Sequence, residues 1–141
     1  MSNEFEQISL TPGFMKHNGG VFFRNISETE YEFKSTINEN HLNVAGITHG
    51  GYLAAIIDAG AGTAAHKVSD NAPCVTISLE IKYIGASKSG DEITGIVNIQ
   101  KKTNTLVFLN CELKNNETLI ASASGMWKIL KIKPSDLGPG G

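Results

Sequence analysis

The stretch ITHGGYLAAIIDAGAGTAAH, Ile47 to His66, contains a single formally charged side chain, Asp58. Leu53, Ile56, Ile57, Ala61, Ala64 and, just beyond, Val68 recur at helical spacing, and most remaining positions are Ala or Gly. A helix that is apolar or small around most of its circumference is a buried one, so this segment predicts a long central helix. Gly60 and Gly62 each weaken a helix interior by roughly 1 kcal/mol relative to Ala. Close approach of another backbone is the ordinary reason for such glycines.

On the N-terminal side, GGVFFRNISE (Gly19 to Glu28) and TEYEFKSTIN (Thr29 to Asn38) are rich in aromatic and β-branched residues and predict a hairpin. A polar connection, ENHLNVAGI, follows. On the C-terminal side the period changes from helical to two. In VTISLEIKY (Val75 to Tyr83), Val75, Ile77, Leu79, Ile81 and Tyr83 alternate with Thr76, Ser78, Glu80 and Lys82. Further strands are expected in DEITGIVNIQKK, TLVFLNCELK and ETLIASASGMWKIL, separated by Ser-Gly, Thr-Asn and Asn-Asn turns. Two strands, one long helix and four strands predict an α+β fold with one antiparallel sheet wrapped around the helix.

At 141 residues the chain suits one domain, with a fraying Pro- and Gly-rich tail over about residues 133–141. A net charge of −2 gives no electrostatic footprint for nucleic acid or a membrane surface. No apolar run reaches the ~20 residues of a membrane span. The acidic, polar start MSNEFEQISL lacks a secretory core, so a cytoplasmic location is expected. Cys74 and Cys111 lie in strand-like runs without metal or redox spacing and read as buried thiols. His41, His66 and Trp127 read as structural.

Asp58 has two readings. It is either a buried carboxylate satisfied by backbone or hydroxyl groups such as Thr76 or Ser78, or a general base or nucleophile in a partly apolar site. The preceding THGG favours chemistry. The first turn of a helix leaves N–H groups unpaired at the positive end of the dipole. Glycine lets a ligand reach them, and such an end can stabilise an oxyanion. His49 then either contacts water or substrate or caps its own loop, and Asn43 either joins the site or serves as a turn residue. Gly50 and Asp58 are eight residues apart, about 12 Å along one helix. An oxyanion donor and a base must both lie within a few ångströms of one carbonyl. If these two act together they come from two chains, as in a two-fold dimer with opposed helices.

The motif HLNVAGITHGGYLAAIIDAG, followed by VTISLEIKYI and SGDEITG, resembles the hotdog-fold acyl-CoA thioesterases, in the branch that includes the phenylacetic-acid-pathway thioesterases. The likeness runs from about Val21 to Leu130. It implies a curved antiparallel sheet around one long helix and hydrolysis of an acyl thioester, most simply acyl-CoA. It implies Asp58 as the catalytic carboxylate, the Gly50 N–H as oxyanion donor with Gly51 beside it, Asn43 and His49 as orienting groups, and Thr76 as the hydroxyl assisting Asp58. It also implies a site between subunits of a homodimer, commonly paired into a homotetramer. No cofactor or metal is expected; coenzyme A enters only as part of the substrate.

Two departures concern the carrier. Gly85 and Ala86 stand where relatives often have a basic residue and a proline, and KKTNTL replaces a Gly-Arg hairpin. Lys88, Lys101 and Lys102 are candidates to contact the coenzyme A phosphates, with solvated surface as the plain alternative. A non-catalytic acyl-CoA binding or sensing module on the same fold is the competing function. Such a module has no need of Asp58.

Overall fold

The computed structural model describes residues 3–131; the tail assigned above to residues 133–141 lies outside them. The elements are β1 (Glu6–Gln7), α1 (Phe14–His17), β2 (Phe22–Asn25), β3 (Glu30–Thr36), a 3₁₀ turn at Glu39–His41, α2 (Gly50–Val68), β4 (Cys74–Tyr83), β5 (Glu92–Lys102), β6 (Leu106–Asn115) and β7 (Thr118–Ile129). The expected hairpin is β2–β3, with Phe23 opposite Phe33. The short β1 and α1 precede it and were not foreseen, since two and four residues carry no readable period.

One antiparallel sheet runs in the order β1-β2-β3-β5-β6-β7-β4. Its inner face packs around α2, which touches β3 through β7. The core between them holds Phe33, Ile56, Ile57, Val97, Leu109, Leu113 and Trp127. Phe33 fixes the distance between helix and sheet. A Cβ at Gly60 would stand 2.2 Å from its ring, and one at Gly95 2.1 Å. The ring therefore lies between two bare Cα atoms, one on α2 and one on β5. The expected reason for Gly60 is thus corrected: a side chain approaches there, not a backbone.

Two other expectations change. The helix is not covered all round. Tyr52, Leu53, Ile56, Ile57, Gly60, Ala61, Ala64 and Ala65 are buried, but Ala54, Ala55, Ala59, Gly62 and Thr63 are only half-buried, and Asp58 is exposed. The alternation of β4 is also interrupted. The register against β7 shifts between Thr76 and Ser78, which inserts Ile77 as a bulge. Cys74 and Thr76 therefore share the helix-facing side with Leu79, Ile81 and Tyr83, while Val75 and Ile77 face outward. No helix among the described residues is long and apolar enough to cross a membrane.

Candidate active site

The loop before α2 is built by its own polar side chains. Asn43 Oδ1 accepts from the N–H groups of Ala45 at 2.9 Å and Ile47 at 3.3 Å. Leu42 and Thr48 form a short bridge, and the Thr48 N–H donates to the Ser87 carbonyl at 2.8 Å. The hydroxyls of Ser87 and Thr48 pair at 2.7 Å in a buried contact. His49 is the N-cap of α2, and its Nδ1 accepts from the Gly51 N–H at 2.8 Å.

The groups expected at this end have distinct fates. Asn43 spends its carbonyl oxygen on its turn, and His49 caps its helix; in both, the plain role is visible. The Gly51 N–H is taken by His49. The Gly50 N–H, first in the helix, has no acceptor among the described residues. The Gly50 carbonyl accepts from Tyr83 Oη at 2.9 Å, and a Cβ at Gly50 would lie 3.2 Å from the Tyr83 ring. Sequence reasoning missed this contact, although the alternating pattern of β4 already placed Tyr83 on one face with Leu79 and Ile81.

Asp58 lies two turns further along α2 and is met from β4. The Thr76 hydroxyl donates to Asp58 Oδ1 at 2.6 Å. Asp58 is thus exposed in the protomer and holds one hydroxyl partner, rather than being a buried carboxylate. The bulge at Ile77 brings Thr76 to this position. A groove of about 350 Å³ opens beside the pair, lined by Asp58, Gly62, His66, Cys74, Thr76 and Trp127 among others. Ser78, the other hydroxyl considered, faces the opposite side of the sheet with Glu80 and Gln100.

The lysines divide between the two ends of α2. Lys88 follows Ser87, the residue tied to Thr48, and its N–H donates to Asp91 Oδ2 at 2.9 Å. Lys101 and Lys102 end β5 opposite Phe108 and Val107, and the Lys102 charge reaches Cys74 at the start of β4. No single protomer gathers all three.

His41 stacks on Tyr52 with ring centroids 3.6 Å apart, accepts from the Asn38 N–H and contacts the Asn18 carbonyl, which makes it a structural group. Burial pushes the Cys111 thiol up to about 12 and raises Cys74 as well, although Cys74 is only half-buried. The departure at Gly85 has a local cause: a Cβ there would stand 2.9 Å from the Leu119 carbonyl oxygen. Among the described residues no three His, Cys, Asp or Glu side chains converge as a metal site.

The chain matches a family model described as the thioesterase superfamily over residues 45–121, a span that includes Gly50, Asp58 and Thr76. It is 30% identical over 112 residues to a Pseudomonas aeruginosa protein that carries an esterase name, covering 79% of this chain and 84% of that one. It is 33% identical over 82 residues to mouse acyl-coenzyme A thioesterase 13, covering 58% of this chain and 59% of the relative. The crystal structure of zebrafish thioesterase superfamily member 2 superposes with a TM-score of 0.78 at 27% identity, over 86% of this chain and 90% of that one.

Proposed function

The chain belongs to the thioesterase superfamily and is a thioester hydrolase, and on that premise we propose that it cleaves acyl-CoA at a site shared by two protomers. Asp58 of one protomer supplies the carboxylate and Gly50 of the other supplies the oxyanion donor. The observation that carries this reading is the Thr76–Asp58 hydrogen bond of 2.6 Å on an exposed helix face. A hydroxyl aimed at one carboxylate oxygen fixes its orientation and leaves the other oxygen to act. That arrangement favours a reacting carboxylate over a binding module.

In the base form of the reaction, Asp58 takes a proton from water as the water oxygen attacks the thioester carbonyl. The carbonyl oxygen gains the negative charge and meets the Gly50 N–H, at the positive end of α2. The tetrahedral centre collapses, the C–S bond breaks, and the thiolate leaves and takes the proton that Asp58 had accepted, which restores the carboxylate. The products are the free acid and coenzyme A. In the nucleophile form, a carboxylate oxygen of Asp58 attacks the carbonyl carbon, the C–S bond breaks with departure of the thiolate, and water then cleaves the mixed anhydride to free acid and the Asp58 carboxylate, its released proton going to the thiolate. Both forms use the same residues.

Distance supports sharing between chains. Gly50 and Asp58 lie about 12 Å apart along α2, too far to serve one carbonyl. The edge of the sheet supports a partner. β4 is the last strand in the order and ten residues long, and Val75, Ile77, Tyr83 and Ile84 on and after it are 40%, 49%, 55% and 54% exposed. A long apolar edge is normally covered. A two-fold dimer closed there opposes two copies of α2. Each site then draws Lys101 and Lys102 from one protomer and Lys88 from the other, which fits a carrier with several phosphates. Mouse acyl-coenzyme A thioesterase 13, named for that carrier, supports coenzyme A here.

The test is hydrolysis of a panel of acyl-CoAs of varied length and aromaticity by the wild type and by Asp58→Asn. Release of free thiol by the wild type, reduced about 10²–10⁴-fold in a folded Asn variant, is the expected result. An Asn variant within about threefold of wild type would reject Asp58 as the reacting carboxylate.

A further inference from the structure

Resting on the reading of Gly50 as oxyanion donor, we propose that Tyr83 is a positioning residue for that donor. The peptide group joining Gly50 to Gly51 is held at both polar ends. Tyr83 Oη donates to its oxygen at 2.9 Å, and its N–H donates to His49 Nδ1 at 2.8 Å. The preceding peptide, from His49 to Gly50, is held through the His49 carbonyl, which accepts from Tyr52 and Leu53 N–H groups at 3.0 and 3.2 Å. The two planes that meet at the Gly50 Cα are therefore both set, and with them the direction of the unpaired Gly50 N–H. Two consecutive glycines have the widest backbone freedom available, so this end of α2 needs such ties to aim a donor.

Packing within one chain does not explain the contact. Tyr83 is 55% exposed in the protomer, so the fold of a single chain does not bury its hydroxyl, and a partner closed over β4 would shield the bond from water and strengthen it. The ring lies close against the main chain where residue 50 lacks a side chain; a Cβ there would stand 3.2 Å from the ring and displace it by a few tenths of an ångström. Glycine at this position thus serves two purposes, access for the thioester oxygen and access for Tyr83. The bonds also form a chain, from the Tyr83 hydroxyl through one peptide to His49. Each donor in such a chain strengthens the next. His49, accepting at Nδ1, carries its proton on Nε2 when neutral.

The experiment compares wild type with Tyr83→Phe, which keeps the ring and removes the donor. The expected result is a fall in kcat of about tenfold on the best acyl-CoA, with KM changed less than about twofold and the melting temperature unchanged. The amide resonance of Gly51 should also move, because its own peptide oxygen has lost a donor. Gly50→Ala, which pushes the ring from the opposite side while keeping the N–H, should lower kcat as well. An unchanged kcat in Tyr83→Phe, or a rise in KM alone, would overturn the positioning role while leaving the hydrolase reading intact. An unmoved Gly51 resonance would show that the bond is absent in solution and overturn it too. A wild type that hydrolyses no acyl-CoA would instead remove the substrate reading on which this role depends.

Discussion

Thr76, at the start of β4, donates its hydroxyl to Asp58 Oδ1 across 2.6 Å, and it can do so because β4 bulges at Ile77. The pair is exposed in the protomer, so its contribution to stability is small, but the bond holds one carboxylate rotamer. Thr76→Val keeps the shape and removes the donor. Its kcat is expected to fall at least about tenfold, with the circular dichroism spectrum unchanged. Thr76→Ser, which keeps the hydroxyl, is expected to lose less. Equal kcat for the Val variant and the wild type would contradict a role for the hydroxyl.

Phe33 sits between Gly60 and Gly95 and has no room to move away from either. Gly60→Ala gains roughly 1 kcal/mol of helix propensity but drives a methyl into the ring, and overpacking of this kind costs about 1–3 kcal/mol. Because Gly95 blocks retreat, the clash is expected to win, lowering the denaturant midpoint without changing its slope. A raised midpoint would mean that helix and sheet can separate at this point at little cost.

Burial pushes the Cys111 thiol up to about 12, which leaves almost no thiolate at neutral pH, and the thiolate is the reactive form. Iodoacetamide at neutral pH is expected to spare Cys111 in the folded protein and to modify it after denaturation. Rapid modification of Cys111 without denaturant would show that β6 opens locally.

The lysines test the carrier. Removing charge at Lys88, Lys101 or Lys102 is expected to raise KM for an acyl-CoA more than it lowers kcat, the mark of lost uniform binding. The same variants should leave an acyl-pantetheine, which lacks the nucleotide phosphates, unaffected. Equal KM values for the two esters in the wild type would argue for a carrier other than coenzyme A.

Much of this was legible in the sequence because burial leaves a period. The apolar positions of α2 and the run from Val75 to Tyr83 announced one helix and a strand, and β2–β3 followed from their aromatic residues. The Gly50–Asp58 spacing also carried its consequence directly, since helical rise is fixed. What stayed hidden depends on single atoms rather than on periods. The bulge at Ile77 inserts one residue with no marker such as Gly or Pro, so strict alternation left the face of Thr76 open. The exposure of Asp58 was hidden for another reason: Ala and Gly on its helix face look the same whether they meet a sheet or await a partner. The Tyr83 contact joins residues 33 positions apart through a main-chain oxygen, which no side-chain pattern records.

The sharing of one site by two chains is tested most directly by mixing two inactive variants, Asp58→Asn and Gly50→Val. The second places a branched side chain at the oxyanion position. In a two-fold heterodimer one site collects both lesions and the other collects neither. With random pairing and independent sites, re-assembled mixtures are predicted to recover about a quarter of wild-type activity, once mass spectrometry of differently tagged chains confirms exchange. Mixed dimers that form and remain as inactive as their parents would contradict the account, because Gly50 and Asp58 would then not meet across an interface.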